Sequence, residues 1–194
     1  MKRTLQTLAL FIVAALTGAW LAACAPVIVA AGVGGAAMVA TDRRTTGTQV
    51  DDEAIELKVS NEANTQFAER IHLNVTSYDG TVLLTGEVPD QGVWASIGNI
   101  AKNTEKVKSV QNELVVAPLA DYSARSNDTY ITSKVKSRMI EANKFPPNVV
   151  KVVTERGVVY LMGIVTRDEG SAAGETAATT TGVVRVVKFF EYKS

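Results

Sequence analysis

One stretch of this chain is written twice. Residues 75–88 recur 77 positions later as residues 152–165, with Gly80 over Gly157, Gly86 over Gly163 and Val88 over Val165. On either side the offset becomes 76: Asp52 and Ile55 fall on Asp128 and Ile131, and Val107 and Val110 on Val183 and Val186. A single duplication spanning most of the chain predicts two tandem copies of one small domain. A solenoid would need more copies.

Each copy reads α-β-β-α-β. In the first, Ile55, Val59, Ala63 and Phe67 recur at helical spacing over 52–69. Strands are expected at 73–78 and 81–88, joined by Asp79-Gly80, a hairpin signal. A second helix over 91–104 carries Val93, Trp94, Ile97 and Ala101 as its buried stripe, and a strand at 107–116 closes the unit. The second copy repeats the order: a helix at 128–144, a hairpin at Arg156-Gly157, a helix at 168–179 and a strand at 183–192. Gly170, Gly174 and several threonines weaken that last helix. The fold class is therefore α+β, sandwich-like, with two helices on one face of a three-stranded mixed sheet in each unit. Domain boundaries fall at 49–117 and 127–194, with 118–126 as linker. A core of about 65–70 residues is marginal alone, so the two units are expected to lean on each other. Gly86 and Gly163 lie inside strands, where glycine marks close backbone approach.

The first 23 residues read as an export signal. Lys2 and Arg3 precede an apolar run at 8–20 that is too short to span a bilayer. Leu21-Ala22-Ala23-Cys24 resembles the bacterial lipobox, which implies that Cys24 is lipidated and becomes the mature N-terminus. Cys24 is the chain's single cysteine, so it has no intramolecular disulfide partner. Ala25, in place of the aspartate that retains such proteins at the inner membrane, implies delivery to the outer membrane, facing the periplasm. Residues 24–48, rich in Ala, Gly and Val over 25–40, read as a membrane-proximal tether. Gly32, Gly34 and Gly35 lack the preceding strand and following helix of a phosphate loop.

Charge excludes one class of partner and suggests another. Without Lys2 and Arg3 the chain keeps 18 basic and 20 acidic residues, so no global basic field points to nucleic acid. The two first helices differ, however. Residues 51–69 hold six acids and one base, whereas 128–144 hold four bases and two acids. On a helical wheel of the second, Ile131, Val135, Met139 and Ala142 form the core face. Tyr130, Ser133, Ser137 and Ile140 lie outward, flanked by Lys134 and Lys136. An apolar and aromatic strip rimmed by lysine suits a membrane interface. In the first copy the matching positions, Ala54 and Asn64, supply no such strip.

The repeated unit with its glycine pairs resembles the BON domain. Two such units behind a lipobox resemble the dual-BON outer-membrane lipoproteins. The most specific stretches are Thr46-Gly47-Thr48-Gln49-Val50-Asp51-Asp52, residues 126–135 and Val159-Tyr160-Leu161-Met162-Gly163. The resemblance implies binding of anionic phospholipid through the second domain, support of outer-membrane integrity and association with the division site. It carries membrane contact onto Tyr130 and Ile140, with Lys134, Lys136 and Arg138 as charge partners on our own reading. The family often has Trp where this chain has Tyr130; tyrosine also favours interfaces.

The competing expectation is a periplasmic adaptor for outer-membrane assembly or cell-wall proteins. No catalytic role is expected, since no nucleophile is matched to a base by motif. No cofactor or metal is expected either: His72 is the single histidine and is placed at the surface or a strand edge. Asp51-Asp52 and Asp128 are expected to cap helix N-termini.

Overall fold

The computed structural model describes residues 42–193. The lipidation site expected at Cys24 lies outside them. Domain 1 comprises α1 (Thr46–Phe67), β1 (His72–Tyr78), β2 (Thr81–Val88), α2 (Gln91–Asn103), β3 (Ser109–Asn112) and β4 (Val115–Val116). Domain 2 comprises α3 (Tyr122–Ala142), β5 (Lys151–Glu155), β6 (Val158–Val165), α4 (Arg167–Ala178) and β7 (Arg185–Tyr192). In each sheet the hairpin strands are antiparallel, and the last strand returns parallel to the middle one. The fold is thus the expected α+β arrangement, repeated.

The middle strands show how the layers stack. In β2, Val82, Leu84 and Val88 point into the core under α1 and α2, while Leu83 points the other way. In β6, Val159, Leu161 and Val165 face the helices, and Tyr160 and Met162 face away. Tyr78 and Leu83 of domain 1 share a third buried cluster with Tyr160 and Met162 of domain 2. The sheets therefore pack face to face, with helices outside. This explains why β2 and β6 are buried along almost their whole length instead of on alternate residues: both faces are covered.

Four sequence expectations are corrected. First, α1 starts at Thr46, capped by Thr45, so the residues read as tether up to 48 already include helix. Second, α3 starts at Tyr122, capped by Asp121, so most of the expected linker 118–126 is helical. Third, Asp52 and Asp128 are consequently not N-caps. Both are buried mid-helix and bind the hairpin turns: Asp52 accepts from Asp79 N, Gly80 N and Ser77 Oγ at 2.8, 2.9 and 2.6 Å, and Asp128 accepts from Arg156 N and Gly157 N at 2.8 Å. Fourth, the closing strand of domain 1 is interrupted between Asn112 and Val115. There Asn112 Nδ2 donates to Trp94 O and Trp94 Nε1 to Leu114 O, turning Leu114 into the core.

The expected weakness of the second helix of copy two does not prevent it from forming. A capping box between Thr166 and Glu169 starts α4, and its small residues sit close to the sheet. A Cβ at Gly170 would lie 3.1 Å from both Phe190 and Tyr192. Packing decides here, not propensity.

Candidate functional site

Helix α3 runs 21 residues, about 30 Å at 1.5 Å per residue. Ile131, Val135 and Met139 are buried, as expected, whereas Ala142, read as part of the same face, is exposed near the end of the helix. On the opposite face Tyr130 and Ile140 are 62% and 59% exposed, with Ser133 and Ser137 between them. The N-terminal extension adds a residue that the sequence reading assigned to the linker. Tyr122 is 81% exposed and stands 18 residues, five helical turns, before Ile140 on the same face. That spacing was present in the sequence, but polar Ser123, Arg125, Ser126 and Asn127 gave no sign of helix.

The three expected cations divide. Lys136 is exposed and makes no ion pair among the described residues. Lys134 Nζ donates to Thr181 O at 2.6 Å and sits 5.0 Å from the centroid of the Tyr130 ring. Arg138 is half-buried: its Nη1 donates to Thr180 Oγ1 at 2.8 Å and to Thr176 O at 3.3 Å, at the C-terminal end of α4 where cations are favoured. Arg138 thus joins helices, and Lys136 remains the outward charge of the three.

Helix α1 is not bare of apolar surface. Val50 and Leu57 are 59% and 63% exposed, a strip that comparison at Ala54 and Asn64 alone did not reveal. Charge separates the two helices more sharply than apolarity does, because residues 51–69 hold six acids and one base and 128–144 four bases and two acids.

The polypeptide enters the fold beside the α3 strip. Asp42 and Arg44 line a groove together with Tyr78, Lys136, Ile140 and Lys151. Arg44 pairs with Asp42 and Asp52 and lies over the Tyr78 ring, 4.1 Å from its centroid. Arg43 crosses to domain 2, where its two guanidinium nitrogens each donate to Glu169 at 2.7 Å and Nη1 also reaches Ile164 O at 2.7 Å. The Arg43 hydrogen bonds hold the Glu169 carboxyl down from an ordinary 4.5 to about 2, against the opposing effect of burial. A depressed acid stabilises the fold above its ordinary pKa, and that contribution is lost as pH falls from about 4.5 towards 2. Replacing Arg43 by alanine should cost about 1–2 kcal/mol at neutral pH and flatten the unfolding temperature over that acid range. Thermal melts of both proteins from pH 2 to 7 check this; parallel profiles would refute the clasp.

Comparison with known proteins matches the BON domain to residues 51–118 and again to 127–194. The chain is 43% identical over 169 residues to the outer membrane lipoprotein DolP of Haemophilus influenzae, covering 84% of this chain and 88% of that protein. It is 35% identical over 153 residues to the 21 kDa hemolysin of Actinobacillus pleuropneumoniae, covering 78% and 79%. To the osmotically-inducible protein Y of Escherichia coli it is 32% identical over 151 residues, covering 73% and 72%.

Proposed function

This chain belongs to the BON-domain family as a DolP-like protein with two BON domains, and we propose that it is a lipid-anchored outer-membrane protein, facing the periplasm, that binds anionic phospholipid through α3. The name of the Haemophilus relative supports an envelope role. No helix among the described residues is long and apolar enough to cross a membrane; the proposed attachment is through Cys24 and surface contact.

One observation carries the lipid reading. The chain reaches the fold at Asp42, in the same groove as Ile140 and Lys136. On this reading the first described residue after the lipid-anchored segment lies next to the exposed strip of α3. Tyr122, Tyr130 and Ile140 would sit at the headgroup boundary, with Ser133 and Ser137 between them. Lys136 would face anionic headgroups, worth about 1 kcal/mol. With two sites of attachment the hold exceeds that of either alone. Support of outer-membrane integrity and concentration at the division site are the roles such binding would serve.

The test is sedimentation of protein lacking residues 1–24 with vesicles containing about a third anionic phospholipid, a composition at which juxtamembrane cations gain about 1 kcal/mol each. Binding should weaken with salt and fall about fivefold or more in Lys136→Glu, since a reversed charge forfeits at least that one increment. Tyr130→Ala and Ile140→Ala should each weaken it without lowering the unfolding temperature. Equal binding to neutral vesicles would contradict the electrostatic part.

A second reading rests on Val50 and Leu57. Their acid-bordered strip on α1 suits a basic protein partner in envelope assembly or cell-wall remodelling, and both roles can coexist on opposite domains. Binding of such a partner would survive Lys136→Glu and be lost in Leu57→Glu.

A further inference from the structure

Where the two sheets meet, three ligand-type side chains from the two domains converge. His72 opens β1, Glu87 lies near the end of β2 and Glu155 ends β5. His72 Nδ1 is 2.9 Å from Glu87 Oε2 and 3.8 Å from Glu155 Oε1, and one donor atom from each residue lies within 4.8 Å of the others. Glu87 is fully buried and Glu155 is 5% exposed. We propose that His72, Glu87 and Glu155 form a binding site for a divalent transition-metal cation of the zinc class, which bridges the two domains.

The donor set selects the ion. One imidazole with two carboxylates suits zinc and its neighbours, whereas magnesium and calcium take oxygen alone. Bonds of about 2.0–2.2 Å set neighbouring donor atoms about 3–3.5 Å apart; the His72 distances of 2.9 and 3.8 Å lie close to this, and the widest pair, within 4.8 Å, has to close by roughly an ångström.

The surrounding groups hold the carboxylates in place. Asn74 Nδ2 donates to Glu155 Oε2 at 2.8 Å, leaving Oε1 towards His72. Arg156 Nη1 is 3.3 Å from Glu87 Oε1, and Ala120 N is 3.3 Å from Glu87 Oε2. Such outer contacts orient ligating side chains. Arg156 is half-exposed, so its charge is shared with water. Two buried carboxylates thus face one imidazole and one half-solvated guanidinium, an arrangement short of positive charge at its centre. Access comes through an open cavity of about 520 Å³ lined by His72, Asn74, Thr129, Lys136 and Glu155, from which water would complete the coordination. Because His72 and Glu87 belong to domain 1 and Glu155 to domain 2, a bound cation would tie the domains together.

His72 is the chain's only histidine, so its imidazole reports on the site without ambiguity. The full chain in detergent is titrated with zinc sulfate, and separately with magnesium chloride, while the imidazole NMR signals and the unfolding temperature are followed. Micromolar zinc should shift the imidazole signals and raise the unfolding temperature, and magnesium should do neither. Glu155→Gln should weaken zinc binding about tenfold or more, and His72→Gln should abolish the stabilisation. Unmoved imidazole signals at millimolar zinc would overturn the proposal in the wild-type protein itself. Equal zinc stabilisation of His72→Gln would overturn it by placing the cation elsewhere.

Discussion

Alanine at Gly163 should destabilise the protein by about 3 kcal/mol or more, lowering its unfolding temperature by about 6–12 °C for a unit of this size. A Cβ there is driven into the carbonyl oxygen of Val149, far inside contact distance, and against Val150 Cα at 3.4 Å. Neither obstacle is a side chain that can turn away. Both belong to the segment entering β5, so relief requires the hairpin to open. Gly86 meets the same fate against the carbonyl of His72, and there φ is +124°, which L side chains rarely adopt. Gly86→Ala should therefore cost at least as much. Thermal unfolding followed by circular dichroism reads both, and an unchanged midpoint would refute the close-approach role.

The second large effect is expected at Asp52. Its carboxylate accepts from Ser77 Oγ, Asp79 N, Gly80 N and Arg44 Nη1 while the residue is only 2% exposed. Asp52→Ala leaves those donors unpaired at a buried turn and should cost about 3–5 kcal/mol. Asp128, with two backbone donors and no arginine ion pair among the described residues, should cost less. Burial raises the Asp52 carboxyl, but the hydrogen bonds from Ser77, Gly80, Arg44 and Asp79 outweigh it and hold the pKa below the ordinary 3.8. A lowered carboxylate pKa stabilises the fold above 3.8, and the contribution vanishes as pH falls through the lowered value. The penalty for Asp52→Ala, measured by urea unfolding, should therefore shrink in acid. A penalty independent of pH would contradict a role for the charge.

Much of this architecture was legible because duplication prints the same hairpin twice. Asp79-Gly80 and Arg156-Gly157 are turns, and the in-strand glycines read as close approaches from the sequence alone. The N-terminal turns of α1 and α3 were not, because before Asp52 and Asp128 they hold no fully buried residue and so no stripe for periodicity to detect. That omission hid Tyr122 and disguised Asp52 and Asp128 as caps, since an aspartate before an apolar run looks the same whether it binds its own helix or a distant turn. The charge contrast between α1 and α3 was fully visible in composition. Which cations stay outward was not: Lys134 and Arg138 are taken up by the end of α4, some 40 residues away. The Arg43–Glu169 clasp and the convergence of His72, Glu87 and Glu155 depend on how the two sheets face each other, which no local pattern encodes.

The proposal that α3, and not its counterpart α1, meets the membrane can be tested with one paired measurement. In protein lacking residues 1–24, Ile140→Cys and, separately, the equivalent Asn64→Cys are labelled with a polarity-sensitive fluorophore and mixed with anionic vesicles. The label at 140 should brighten and shift to the blue while that at 64 stays unchanged. An unchanged label at 140, or an equal response at both positions, would contradict it.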